Sequence, residues 1–403
     1  MRADDLKVVV LDDEASRAEE WRETLIEHGL APDKINVVDP EPRKAEKWLK
    51  PLKDRHKALR AGRSVEIDPP PPFDGIDVVV ADFDLEDFEF VSTGSLLCHW
   101  ISTFTDVKAT IKVNELLGRN TNYFDLRLTE HRHSNADVDL GSDHLGWPGL
   151  WRQPFGGFRP WHWPYIPAHC DFHSDRIRDI TGHLDEPLSD VLGLNFDALS
   201  LVARDAISGE NGNDLSEFTP RSVASEAFFT RSERERAKRG QVPEAIIERL
   251  VSRFLSNWVR KFVLEEQTYL CDLPHLFMRL PGAFLTDDIG LLFQQLVNLE
   301  DPDPYSLLHK DLHEYIFDKP HWLGRPAVDW YSISQGSDLL ERFSTPVFEE
   351  ARDYVFLEDC SRFAPIEEAR DFSADLEALD NVRYVSAKGF EGIDYSPKAR
   401  LAL

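Results

Sequence analysis

Paired cysteines are missing from this chain. Cys98, Cys170, Cys271 and Cys360 are its only four cysteines in 403 residues, and no two stand in a CxxC spacing. That pattern excludes a disulfide framework and a thiolate zinc site, and predicts reduced, mostly buried thiols. Basic charge is scarce as well: Lys and Arg total 46 against 73 Asp and Glu, a net charge of −27. Such a surface is poorly suited to holding a nucleic-acid backbone or an anionic membrane by bulk electrostatics. No Lys/Arg block stands out as a local exception. No run of ~18 apolar residues occurs, and the opening MRADDLKVVVLDDE has no signal-peptide apolar core. The expectation is a cytoplasmic protein with neither nucleic acid nor membrane among its partners. A Walker A loop, a GxGxxG fingerprint and a GxSxG elbow are all absent, and so is any internal repeat.

What is present is concentrated in the first 145 residues. Lys7 to Leu11 (KVVVL) is an apolar run ending in Asp12, Asp13 and Glu14. Continuous Val and Leu predict a central parallel strand, buried on both faces. Ser16 to Glu27 comes next with helical spacing, and Gly29 is placed to stop it. Ile35 to Val38 is a second strand, and residues 43–62 form a basic helix that Pro51 is expected to kink or split. Pro69 to Pro72 reads as an extended spacer. Asp77 to Ala81 (DVVVA) is a third strand with Asp82 at its end; Gly94 opens a helix, and Lys108 to Val113 is a fourth strand ending at Asn114. This alternation predicts a doubly wound parallel sheet, whose site lies at the carboxyl ends of the strands. Asp12, Asp13 and Asp82 converge there.

On VVVLDDE at 8–14, VVVADFDL at 78–85 and TGSLLCHWI at 93–101, residues 6–150 resemble a response-regulator receiver domain of two-component signalling, which has a flavodoxin-like fold. The resemblance implies that Asp12 and Asp13 hold Mg²⁺ and that Asp82 accepts a phosphoryl group from a phosphohistidine. It implies a histidine kinase or phosphotransfer protein as partner. The residue types suit that chemistry: three carboxylates at one strand edge repel one another unless a hard, oxygen-seeking cation sits among them. Two positions depart from the family pattern. Asn114 stands where the family has a Ser or Thr switch. With the fifth strand aligned on Asn135 to Leu140, Gly141 falls where the family has a lysine. Lys112 shares strand parity with Asn114. An oversized polar segment, 115–134, including His131 and His133, separates the fourth and fifth strands.

Residues 146–170 change character, with four of the ten tryptophans between Trp147 and Trp163. The segment is too rich in Pro and Gly for long regular elements, yet too apolar to float free. It reads as a strap packed between the receiver-like region (1–145) and the C-terminal region (171–403). An aromatic platform for a partner or a base is the functional alternative. Residues 171–403 read as mainly helical, of no recognised family. A capping box stands at Thr230 to Glu233, a long apolar helix starts at Pro243, and further helices are expected near 288–299, 304–317, 337–343, 346–356 and 365–380. A short strand is expected at Asn381 to Val385. The basic stretch Arg231 to Arg239 reads as a solvated face rather than a DNA reader.

Three functions are expected from these features. The first is a response-regulator-like protein whose non-DNA-binding output runs through the helical region, a protein effector or a homo-oligomer. The second is a pseudo-receiver adaptor without phosphotransfer, which Asn114 and Gly141 favour. The third is a metal-dependent hydrolase using either His162, His169 and His173 with Asp171 and Asp175, or His309 and His313, four apart on one helical face. Cys360, in FLEDCSRF, lacks an identifiable partner histidine and reads as structural.

Overall fold

The computed structural model describes residues 2–86, 88–114, 136–141, 144–153, 156–208, 218–286, 288–345, 353–373 and 382–390. The chain opens with β1 (Val8–Leu11), α1 (Ala15–Glu27), β2 (Ile35–Val37), α2 (Pro42–Arg60), β3 (Val78–Asp82), α3 (Gly94–Phe104), β4 (Ala109–Val113) and β5 (Val138–Leu140). The five strands form one all-parallel sheet in the order β2-β1-β3-β4-β5. That order is compatible with a flavodoxin-like sheet.

The Val-rich strands are buried on both faces because alternate side chains enter two different cores. Val8, Val10, Val78, Val80 and Ile111 pack with Trp21 and Leu25 of α1. Val9, Leu11, Val79 and Ala81 pack with Leu49 and Leu52 of α2 and Leu97 and Ile101 of α3. Pro51 does not split α2. The helix runs unbroken from Pro42 to Arg60, because its stripe of Ala45, Leu49, Leu52 and Leu59 is buried against the sheet and outweighs one lost hydrogen bond. The proline run is not wholly extended either: Pro71–Phe73 forms a 3-10 turn.

The aromatic strap contains two short helices, α4 (Pro148–Trp151) and α5 (Ile166–Asp171). Trp151 and Trp163 are buried in the α1-side core, whereas Trp161 enters the opposite one. The strap therefore ties the two cores together.

The remainder runs α6 (His173–Ile180), α7 (Leu188–Leu192), α8 (Leu201–Ser208), α9 (Pro220–Phe228), α10 (Arg231–Lys238) and α11 (Glu244–Trp258), which continues as a π-helical turn over Val259–Leu264. After it come β6 (Leu270–Asp272), α12 (Leu273–Arg279), α13 (Ile289–Val297), α14 (Pro320–Leu323), β7 (Ala327–Asp329), α15 (Trp330–Gln335), α16 (Ser337–Phe343), β8 (Tyr354–Leu357), β9 (Arg362–Pro365), β10 (Ala369–Ser373) and β11 (Val382–Ser386). The α2/α3 side of the sheet and α11 share one continuous core, which runs from Leu97 through Leu250 to Phe277. Arg236 of α10 donates to the carbonyls of Leu59 and Arg60, capping α2, so part of the RSERERAKR stretch is docked rather than solvated.

The C-terminal region is less helical than expected. A separate four-stranded sheet, β10-β11-β8-β9, replaces the helices expected over 354–356 and 369–373. Tyr354 to Leu357 (YVFL) is aromatic and β-branched and pairs with β9; Ala369 to Ser373 pairs with β11. Of the rest of those two expected helices, Ile366–Glu368 forms a 3-10 turn, and 346–352 and 374–380 lie outside the described residues. The stretch 304–317 contains only a 3-10 helix, Lys310–Tyr315.

Candidate functional site

The carboxyl ends of β1 and β3 carry the site. Asp12 comes directly after β1 and is fully buried; its Oδ1 accepts from the Glu14 N–H at 2.8 Å, which turns the chain into α1. Asp82 ends β3. The Phe83 N–H donates to the Val113 carbonyl at 2.7 Å, and the Gly94 N–H donates to the Phe83 carbonyl at 2.8 Å. The loop after Asp82 is thereby folded back so that α3 starts beside the acidic residue. Gly94 is required there: a Cβ would lie 2.0 Å from the Asp82 carbonyl oxygen.

Among the described residues, the one group of three or more His, Cys, Asp or Glu side chains with ligand atoms mutually within 4.8 Å is Asp12, Asp13 and Asp82. Burial pushes Asp12 up to about 7, reinforced by the charge of Asp82 and countered by the Glu14 N–H and Arg17. Burial likewise pushes Asp82 up to about 6, against the Phe83 N–H and Arg17. Arg17, from the first turn of α1, places Nε 3.7 Å from Asp12 Oδ2 and Nη1 3.7 Å from Asp82 Oδ2. Asp12 Oδ2 is buried and accepts no hydrogen bond. Three oxygens at one strand edge, one of them an orphaned acceptor, fit a hard divalent cation such as Mg²⁺.

The flanking positions are accounted for differently. Asn114 stands just after β4, and its N–H donates to the Leu140 carbonyl at 2.8 Å. Gly141 stands just after β5, and its N–H donates to His144 Nδ1 at 3.2 Å. Lys112 is in register with Ala81, so its side chain leaves the sheet on the face opposite Asp82. It is held by Asp139 at 2.9 Å and Ser95 at 3.0 Å, with Nζ 5.5 Å from the centre of the Phe83 ring. His131 and His133 lie outside the described residues.

The histidine sets do not assemble as metal sites among the described residues. His169 sits between Asp137, at 3.8 Å, and the guanidinium of Arg176. His309 caps the 3-10 helix through the Asp311 N–H, and His313 bonds the Leu308 carbonyl at 3.0 Å. Three residues per turn put positions four apart on different faces. All four cysteines are free and buried, and burial raises the Cys360 thiol to about 12.

Sequence reasoning missed a buried ionic network in the C-terminal region. His275 meets Asp272 through Nδ1 at 2.6 Å and Glu358 through Nε2 at 2.9 Å. Arg325 pairs with Asp272 at 3.2 Å, and Arg383 pairs with Glu358. Both ring nitrogens of His275 are engaged by carboxylates. Only Asp272 and His275 are close in sequence; Arg325, Glu358 and Arg383 come from separate stretches of chain, so nothing local signals the whole network.

No protein-family model, no curated protein and no solved structure matches the chain. No helix among the described residues is long and apolar enough to cross a membrane.

Proposed function

We propose that the chain is a receiver-type signalling protein of the cytoplasm, in which Asp82 accepts a phosphoryl group from a phosphohistidine on a histidine kinase or phosphotransfer protein. The observation that carries this reading is the meeting of Asp12, Asp13 and Asp82 at the carboxyl ends of β1 and β3 in a 2-1-3-4-5 sheet. Asp12 and Asp13, with Asp82, hold Mg²⁺. The ion, when bound, offsets the charge of the carboxylates and of the transferring phosphoryl oxygens. A carboxylate oxygen of Asp82 attacks phosphorus in line while the phosphorus–nitrogen bond breaks, and the departing imidazole takes up a proton. Arg17 stands on the same side as a fixed positive charge. The acyl phosphate adds charge and acceptors beside Gly94 and Ser95 at the start of α3, the helix against which α11 packs. Output through the helical region, a protein effector or a second copy is the consequence of that contact.

A second reading, a pseudo-receiver adaptor without phosphotransfer, is favoured by Gly141 at the place of the family's lysine and by Lys112 being committed to Asp139 and Ser95. One experiment separates the two. Incubation with a small-molecule phosphodonor and Mg²⁺, read by intact mass, is expected to add one phosphoryl group to the wild type and none to Asp82→Asn. No adduct, together with no Mg²⁺-induced change in thermal stability, leaves the adaptor reading.

A further inference from the structure

The net charge of −27 hides a local reversal of sign. Residues 43–63, which form most of α2 and the turn after it, carry nine Lys and Arg against two acids. Residues 231–239, in and just after α10, carry five against two. The fold joins the two stretches. Arg236 Nη1 donates to the Leu59 carbonyl at 2.7 Å and Nη2 to the Arg60 carbonyl at 3.2 Å, while Arg60 Nε lies 3.9 Å from Glu233. The basic end of α10 therefore extends the basic surface of α2.

On α2 the charge forms an ordered stripe. Arg43, Lys47, Lys50, Asp54 and Lys57 follow one another at steps of four and three, which places them along one face of a helix. The opposite face, Ala45, Leu49, Leu52 and Leu59, is the one buried against the sheet. All five stripe residues are exposed, and so are Arg60 and Arg63 at the end of the helix. The side chains of Arg43, Lys47, Lys57 and Arg63 form no ion pair among the described residues. Lys50 and Arg60 meet Glu46 at 2.6 Å and Glu233 at 3.9 Å, and such exposed pairs contribute little and exchange readily. From Arg43 to Lys57 the stripe is about 21 Å long, at the usual rise per helical residue.

We propose that this face of α2 is the docking surface for an acidic segment of a protein partner, laid along the stripe for about four helical turns. Charge complementarity carries the choice of partner. An acidic segment is repelled by most of this chain and attracted by α2, so the field orients it before contact. Asp54 interrupts the stripe. A protein segment meets it with a basic or neutral side chain, whereas a nucleic-acid strand brings a phosphate at every step. α2 also has no exposed aromatic ring on which bases could stack: Trp48 is half-buried, edge-on to Phe73 at 5.2 Å. An amphipathic helix that binds a membrane inserts its apolar face, and that of α2 is buried in the core. None of these residues belongs to the Asp82 site, and docking here is independent of phosphotransfer.

The test uses the full-length protein and three probes at about 50 mM NaCl. They are a labelled, glutamate-rich helical peptide of about six turns, a labelled single strand of DNA of similar length, and phosphatidylserine vesicles. The peptide is expected to bind one-to-one by fluorescence anisotropy, with an affinity that falls at least about tenfold by about 300 mM NaCl. Lys47→Glu with Lys57→Glu is expected to abolish binding while Tm stays within about 2 °C, because both side chains are exposed. Lys310→Glu with Lys388→Glu makes the same change of net charge at exposed positions elsewhere, and is expected to keep binding. No peptide binding at about 100 μM protein, or equal losses in the two double variants, overturns the proposal. So does DNA or a vesicle held more tightly than the peptide through Lys47 and Lys57. A dimer in sedimentation that Lys47→Glu with Lys57→Glu dissolves also overturns it, by giving the face to a second copy.

Discussion

Arg17 and Asp82 face each other across the acidic edge, with Nη1 3.7 Å from Oδ2, while the same guanidinium reaches Asp12 at 3.7 Å. Arg17 is therefore the counter-charge of the carboxylates in the metal-free protein. A divalent cation among the same oxygens competes with it electrostatically. Arg17→Gln is expected to bind Mg²⁺ several-fold more tightly than wild type, by calorimetry. Weaker binding would mean that Arg17 supports the metal-loaded site instead.

The raised carboxyls predict a pH dependence of defined sign. Asp12 and Asp82 are pushed by burial up to about 7 and about 6. The folded protein therefore holds their protons more tightly than the unfolded chain. The resulting stabilisation is fully present below the ordinary Asp value of about 4 and is lost as pH rises through the two folded values. Metal-free protein is expected to lose on the order of 1–3 kcal/mol between about pH 4.5 and 8 from these groups, and Mg²⁺ is expected to restore it above about pH 7. The comparison is Tm against pH for wild type and Asp12→Asn, whose curve is expected to be flatter. A wild-type curve identical to that of the variant would remove Asp12 as the source.

Gly94 makes a purely steric prediction. A Cβ there meets the Asp82 carbonyl oxygen at 2.0 Å and its carbon at 2.9 Å, both backbone atoms. Gly94→Ala is expected to cost roughly 2–4 kcal/mol and to lower Mg²⁺ affinity, because relief of the clash must move Asp82. Gly29→Ala is a useful contrast. Gly29 has φ 99° but nothing within 4 Å of the added carbon, so only its backbone strain of about 1–2 kcal/mol is at stake. Equal losses in the two variants would refute the steric assignment.

The parallel sheet was legible because its signal is local. VVVL at 8–11 and VVVAD at 78–82 are apolar almost without interruption, which only a strand buried on both faces explains at that length. The carboxylates at the strand ends came from the same reading. Arg17 was not legible as a site residue, because an arginine in the first turn of an amphipathic helix looks like any solvated position. The β8–β11 sheet was hidden for another reason. The stretch after Pro365 is rich in Glu, Asp, Ala and Leu, all compatible with a helix, and pairing with β11 makes Ala369 to Ser373 extended. The His309 and His313 spacing misled because it assumes about 3.6 residues per turn, whereas the segment winds as a 3-10 helix. The packing of the strap against the β8–β9 turn was hidden too, since the Ser361 hydroxyl donates to the Arg159 carbonyl across a separation of 202.

The tie between the sheet and α11 is the last relationship open to test. Asp137, just before β5, accepts from the Thr110 N–H at 2.8 Å and the Thr110 hydroxyl at 3.0 Å, and it pairs with Arg253 of α11. Arg253 also donates to the Val107 carbonyl. Burial alone would raise the Asp137 carboxyl, but the charge of Arg253 holds it far below the usual range. The pair therefore remains ionised across neutral and mildly acid pH. Removing either partner strands a buried charge, so Asp137→Asn and Arg253→Met are each expected to cost roughly 3–5 kcal/mol. The double variant is expected to cost clearly less than their sum, with a coupling of about 2 kcal/mol or more in denaturant unfolding. Additive losses would mean that the two residues act separately, Asp137 by closing the β4–β5 edge and Arg253 by capping the loop at Val107. A large coupling would make the pair an electrostatic link between the sheet and α11.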